Sequence, residues 1–127
     1  VSNVFSLEQL KTANSTRYVE VEGYGGIIRL GTLRTADMIE WVESNEDATK
    51  SRFAGLRLLV KSIVDADGNR IPTEQFEDYL EAFKNKDAKE NGVLVGAALK
   101  LNGFDSASRQ ARKNDSGEAI PAASLTV

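Results

Sequence analysis

The sequence predicts a single α+β domain, mainly helical. An N-terminal β-hairpin is expected to pack on a bundle of about four to five helices, followed by a disordered C-terminal tail. Three observations predict this. The chain has 127 residues, 41% of them hydrophobic, which is one ordinary domain with enough surface to bury a core. Residues 17–22 alternate between apolar and polar positions and run into a glycine-rich turn. From about residue 36 to 101, apolar residues recur at the i, i+3, i+4 spacing of amphipathic helices. The globular domain is therefore expected over 1–104, with the hairpin at about 17–31 and the helices at about 36–101. Residues 105–127 are expected as a frayed helix and flexible tail.

Each element has a local cause. Ser6, with Gln9 three residues later, has the spacing of a capping box. A short helix is expected from there to about Asn14, where Asn-Ser-Thr is turn chemistry. In the next segment Arg17, Val19 and Val21 alternate with Tyr18, Glu20 and Glu22. Gly23-Tyr24-Gly25-Gly26 then supplies the positive φ angles of a tight reversal. Ile27-Ile28-Arg29-Leu30 resumes β character up to Gly31.

Thr35 reads as an N-cap, with Asp37 in the first turn and Met38, Trp41 and Val42 on one face. Ser44-Asn45-Glu46-Asp47 interrupts the pattern. A long central helix is expected next, its apolar stripe formed by Phe53, Leu56, Leu59, Val60 and Ile63 and widened by Leu58 and Val64. Asp65-Ala66-Asp67-Gly68-Asn69 breaks it, and Pro72-Thr73 sets up a helix with Phe76, Tyr79, Leu80 and Phe83 inward. Lys84 to Glu90 reads as a charged connector. The last helix carries Val93, Leu94, Ala97, Ala98 and Leu101 and is stopped by Asn102-Gly103. Ser106 to Lys113 is the expected frayed helix. From Asn114 the tail has too little apolar surface to offset ordering entropy.

Composition removes much chemistry. The chain has no cysteine and no histidine, which excludes disulfides, thiolate and imidazole metal ligands, and every histidine-based triad. With 16 Lys+Arg against 19 Asp+Glu, the net charge is −3, so nucleic acid is not an expected partner. No apolar run approaches the ~20 residues of a membrane span, and no signal-peptide pattern opens the chain.

The remaining constellations read as structure. Asp65-Ala66-Asp67-Gly68-Asn69 copies the start of an EF-hand loop, but Arg70 stands at its sixth position and Phe76 at its twelfth, where calcium binding needs Gly and a bidentate Glu. A turn between two helices is expected there instead. Gly23-x-Gly25-Gly26 leads from strand to strand and is a hairpin turn, whereas phosphate loops lead into a helix. The carboxylate pairs Glu20/Glu22, Asp37/Glu40 and Asp65/Asp67 read as solvated faces without catalytic desolvation. No catalytic, cofactor or metal residue is assigned, and no enzyme is expected. Two basic groupings stand out: Arg109-Gln110-Ala111-Arg112-Lys113 in the tail, and Arg52, Arg57 and Lys61 along the central helix. Candidate partner-binding residues are Trp41, Arg109, Arg112 and Lys113, with Trp41 also a core candidate.

The order of these pieces resembles a known family. The hairpin Arg17-Tyr18-Val19-Glu20-Val21-Glu22…Gly26-Ile27-Ile28-Arg29-Leu30 is followed by Leu33-Arg34-Thr35-Ala36-Asp37. Then come Ile63-Val64-Asp65-Ala66-Asp67-Gly68-Asn69, Gly96-Ala97-Ala98-Leu99-Lys100-Leu101-Asn102-Gly103-Phe104 and a Ser/Ala/Asn-rich tail. Over about Arg17 to Lys113 this resembles the tail assembly chaperones of long-tailed, siphovirus-like bacteriophages and prophages. The resemblance implies a non-enzymatic protein that keeps the tape-measure protein soluble and helps recruit tail-tube subunits during virion morphogenesis. It further implies the cytoplasm of the bacterial host and absence from the mature virion. A ribosomal frameshift near the end of the reading frame is a family device, and Lys113-Asn114 or Lys84-Asn85-Lys86 could be encoded by a slippery adenine run. Self-association is compatible with such a body. The alternatives are a structural head–tail connector or minor tail protein, which would co-purify with particles; a small nucleic-acid-associated regulator, which would bind DNA in a salt-dependent way; and a carboxylate-based enzyme, which would show perturbed carboxylate titration within a concave pocket.

Overall fold

A computed structural model describes residues 4–104 of the chain. The expected frayed helix and tail lie outside the described residues. Helix α1 (Leu7–Thr12) opens with the expected capping box: Ser6 Oγ accepts from the Gln9 backbone N–H at 3.2 Å, and Gln9 Oε1 accepts from the Ser6 N–H at 2.8 Å. It ends two residues before the expected Asn14, because Ala13 is extended. α1 buries no residue.

Strands β1 (Tyr18–Gly23) and β2 (Gly26–Gly31) form the expected antiparallel hairpin, with Gly23 opposite Gly26. The two residues between them, Tyr24 and Gly25, have φ of +50° and +78°. Two successive positive φ values make the turn whose twist matches that of the flanking strands. The hairpin packs on the helices, where a Cβ on Gly23 would lie 3.3 Å from a Leu94 methyl.

Helices α2 (Thr35–Ser44), α4 (Ala54–Ser62), α5 (Phe76–Lys84) and α6 (Ala88–Leu101) form the bundle, with a one-turn α3 (Ala48–Ser51) in the interrupted stretch. A 3₁₀ turn, Thr73–Gln75, leads into α5. The core is built from Leu30, Trp41, Leu58, Leu59, Val60 and Leu94, all fully buried or nearly so, with Ala54, Leu80, Phe83 and Ala98 around them. At the α4–α6 crossing a Cβ on Gly55 would lie 2.8 Å from Val95 Cγ1, so the glycine permits the close approach.

Several boundaries differ from expectation. The central helix stops at Ser62, and Ile63–Val64 form strand β3, antiparallel to β2 through Leu30↔Ile63 and Arg29↔Val64. The exposed edge of β2 recruits them, and their β-branched side chains suit a strand as well as a helix. Phe53 lies just outside the same helix, as its N-cap residue. Asp65–Asn69 therefore turns a strand back rather than joining two helices, and Val64 bridges to Arg70. At α2 the N-cap position is Arg34, not Thr35, and it makes no side-chain cap bond. The charged connector shrinks to residues 85–87, because Asp87 accepts from the Lys89 N–H at 3.1 Å and starts α6 early. Val42, Tyr79 and Val93, expected inward, are exposed by 49%, 40% and 59%; a helix in a thin bundle buries a narrower stripe than its apolar count implies. α6 ends as expected. With Gly103 at φ +83°, its N–H donates to Lys100 O and the Phe104 N–H to Leu99 O, a Schellman closure.

Candidate binding cleft

A cleft of about 450 Å³ opens between α2, α4 and the β3–α5 connection. Its α2 wall carries Arg34, Asp37 and Glu40, spaced three apart so that they share one flank of the helix. Arg34 Nε donates to Asp37 Oδ2 at 2.9 Å. That hydrogen bond holds the Asp37 carboxyl below the ordinary carboxylate range, with Lys61 and Arg70 adding attraction against the opposing effect of burial. Glu40 Oε1 accepts from Lys61 Nζ across the cleft at 3.0 Å.

Arg57 and Lys61, from α4, form the opposite wall. Arg57 is only 8% exposed. Its Nη2 donates to Ser44 Oγ at 2.9 Å, while its buried Nε has no hydrogen-bond partner. Its guanidinium carbon lies 5.6 Å from the Phe76 ring centroid, and Lys61 Nζ lies 5.5 Å from the same ring. Arg70 closes one end. Its guanidinium donates to the carbonyls of Gly31 and Thr32, tying the exit of β2 to the start of the α5 approach, and burial pushes its pKa down.

The expected site residues fall elsewhere. Trp41 is 1% exposed: its indole Nε1 donates to Ala54 O at 2.9 Å and its ring tilts against Phe104 at 5.6 Å between centroids. It is a core residue and presents nothing to a partner. Arg109, Arg112 and Lys113 lie outside the described residues. The expected basic face of Arg52, Arg57 and Lys61 is not a solvated stripe either, because Arg57 is buried and the Lys61 side chain is 14% exposed. Likewise Asp37 lines the cleft with its side chain 23% exposed, instead of lying on the solvent side of α2. Sequence reasoning missed Arg57 and Phe76 as cleft residues. The signal was available in spacing, since Arg57 lies three residues from both Ala54 and Val60, which are buried.

The Asp65 turn closes on itself. Asp65 Oδ1 accepts from the backbone N–H groups of Asp67 and Asn69, each at 2.9 Å. These bonds, the one from Asn69 foremost, hold its carboxyl below the ordinary range. Among the described residues no group of three or more His, Cys, Asp or Glu side chains is placed to hold a metal ion. Among the same residues, no helix is long and apolar enough to cross a membrane.

Compared with family models, curated proteins and solved structures, the chain matches none of them.

Proposed function

We propose that this chain is a tail assembly chaperone of a long-tailed bacteriophage or prophage. It would bind the tape-measure protein without catalysing a reaction, and help recruit tail-tube subunits in the cytoplasm of the bacterial host. The observation that carries the reading is the order of the resembling segments over about Arg17 to Lys113, with which the fold is compatible: a hairpin, a turn after β3 and a helix stop follow one another in that order. The Tyr24-Gly25 reversal, the Asp65–Asn69 turn and the Gly103 helix stop are each backbone conformations that hold successive elements in place.

The surface is compatible with client binding. On α2, Ile39 and Val42 are half exposed on the flank away from Asp37 and Glu40, and the α1 arm exposes Leu7 and Leu10 by 65% and 60%. Apolar side chains held in water on helical elements suit repeated, weak contacts along a long helical client.

The test is co-expression of the chain with the tape-measure protein of the same locus, together with mass spectrometry of purified particles. Recovery of soluble tape-measure protein only when the chain is present, and absence of the chain from particles, is the expected result. Stoichiometric presence in finished particles would instead make it a connector or minor tail component.

A further inference from the structure

The cleft between α2 and α4 has a charge imbalance that its own residues do not resolve. Two of its cations have carboxylate partners: Arg34 with Asp37 and Lys61 with Glu40. Among the described residues, three cleft cations, Lys50, Arg57 and Arg70, make no salt bridge, against a single cleft carboxylate without one, Glu77. Arg70 is satisfied by backbone carbonyls. Arg57 is not. It is more than nine-tenths buried, its Nε has no hydrogen-bond partner, and its Nη2 donates to a neutral hydroxyl, that of Ser44.

A guanidinium taken out of water without a counter-ion is among the costliest arrangements in a protein interior. The ring of Phe76 offsets part of that cost. It does not supply the lone pair that the Nε–H group lacks. A planar carboxylate supplies them in matched geometry.

We propose that this cleft receives the carboxylate side chain of a partner protein, with Arg57 as the recognition residue and Lys50 as a second cation at the opening. The lining favours a protein segment over a polyphosphate. Glu77, the one cleft carboxylate outside those ion pairs, disfavours a dianionic phosphate or a nucleic-acid backbone more than a single carboxylate. Together with Phe76 and Ile71 in the same lining, Glu77 matches a segment carrying charges of both signs and an apolar side chain. The receptor works in the same way whether or not the partner is a tape-measure protein.

The experiment uses isotope-labelled full-length chain and reads the arginine Nε–Hε and backbone amide resonances. The probes are the blocked peptide acetyl-Ala-Leu-Glu-Leu-Ala-amide, its Gln twin, and inorganic phosphate. Saturable shifts at Arg57 and the α2 amides are expected with the Glu peptide, at an affinity about tenfold above the Gln twin, the discrimination of one charge-assisted hydrogen bond. Arg57→Met should abolish the preference. Lys50→Glu, a change at an exposed position, should weaken the Glu peptide without altering the fold, so it decides the matter if Arg57→Met does not fold. Equal binding of both peptides, no saturable shift at the solubility limit, or tighter binding of phosphate than of the Glu peptide would overturn the assignment.

Discussion

The Tyr24 hydroxyl donates to Asn91 Oδ1, joining the tip of the hairpin to α6 across 67 residues of sequence. The Tyr24 backbone N–H also donates to Glu90 Oε1 at 2.7 Å, and its ring tilts over Phe83 at 6.2 Å. This set of contacts holds a non-glycine residue at φ +50°, where an L side chain is ordinarily unfavourable. Asn91 in turn donates through Nδ2 to Phe83 O at 2.7 Å, so one buried amide links hairpin, α5 and α6.

Removing either partner should therefore cost stability unequally. Tyr24→Phe leaves Asn91 Oδ1 without its donor and should cost about 1–2 kcal/mol. Asn91→Ala removes both bonds, leaving the Tyr24 hydroxyl without its acceptor while the Phe83 carbonyl keeps the Lys86 N–H, and should cost about 2–3 kcal/mol. Urea unfolding of the two variants measures the difference; equal costs would mean that the Phe83 bond contributes nothing.

Tyr24 also makes stability depend on alkaline pH. Burial raises its pKa above the ordinary tyrosine value, with the charges of Glu90 and Asp87 adding to the effect. The neutral phenol is thus favoured in the folded state. Its contribution is fully present below the ordinary tyrosine pKa of about 10 and is lost as pH rises through the higher folded value. An ultraviolet titration should contain a late tyrosine phase that disappears in Tyr24→Phe.

At acid pH the sign reverses. The folded pKa of Asp37 is depressed, chiefly by its hydrogen bond from Arg34. Its stabilisation is present above the ordinary carboxylate pKa of about 4 and is lost as pH falls through the lower folded value. The Arg34 side chain is 73% exposed, so Asp37→Asn should cost under about 1 kcal/mol at neutral pH. The gap to the parent should close in acid. A gap constant from neutral pH to pH ~2 would assign the effect to packing rather than charge.

The α4–α6 crossing predicts a change of sign. Gly55→Ala drives a methyl against Val95 Cγ1, which would stand 2.8 Å away, and should destabilise by about 1–3 kcal/mol. In a Val95→Ala background the overlap is gone. The same Gly55→Ala change should then stabilise slightly, through helix propensity. Thermal melts of the four members of the cycle measure it, and additive effects would show that the contact does not couple the two positions.

Trp41 is the only tryptophan and is buried. Its emission should be blue-shifted and resistant to acrylamide. Trp41→Phe should cost about 1–3 kcal/mol, since the indole N–H to Ala54 O bond is lost along with packing volume.

What the sequence made legible follows from how local the causes are. The Ser6–Gln9 capping box, the Tyr24-Gly25 reversal and the Gly103 stop are decided within a few residues, and each lies where its sequence pattern put it. Ile63–Val64 was not legible, because two β-branched residues at the end of an apolar helical stripe satisfy either periodicity. The choice was made by β2, more than thirty residues upstream. The cleft was hidden for a related reason. Arg57 reads as an ordinary helix-surface cation until Ser44 and Phe76, distant in sequence, are known to enclose it. Trp41 was legible as core, and the structure leaves it no role at the surface.

The join between α4 and β3 has no spacer: Ser62 ends the helix and Ile63 begins the strand. One inserted residue upstream would turn the helix by about 100° relative to the strand, and one inserted within the strand would exchange its faces. Neither change could be absorbed locally, because Ser62 is fully buried and bonded to Leu58 O. The three-residue joint at 85–87 is exposed and carries no such constraint. Among descendants of this chain, length variation should therefore gather at that joint, in the stretch between α1 and β1 and around exposed residues 46–52, while the distance from Ala54 to Val64 stays constant.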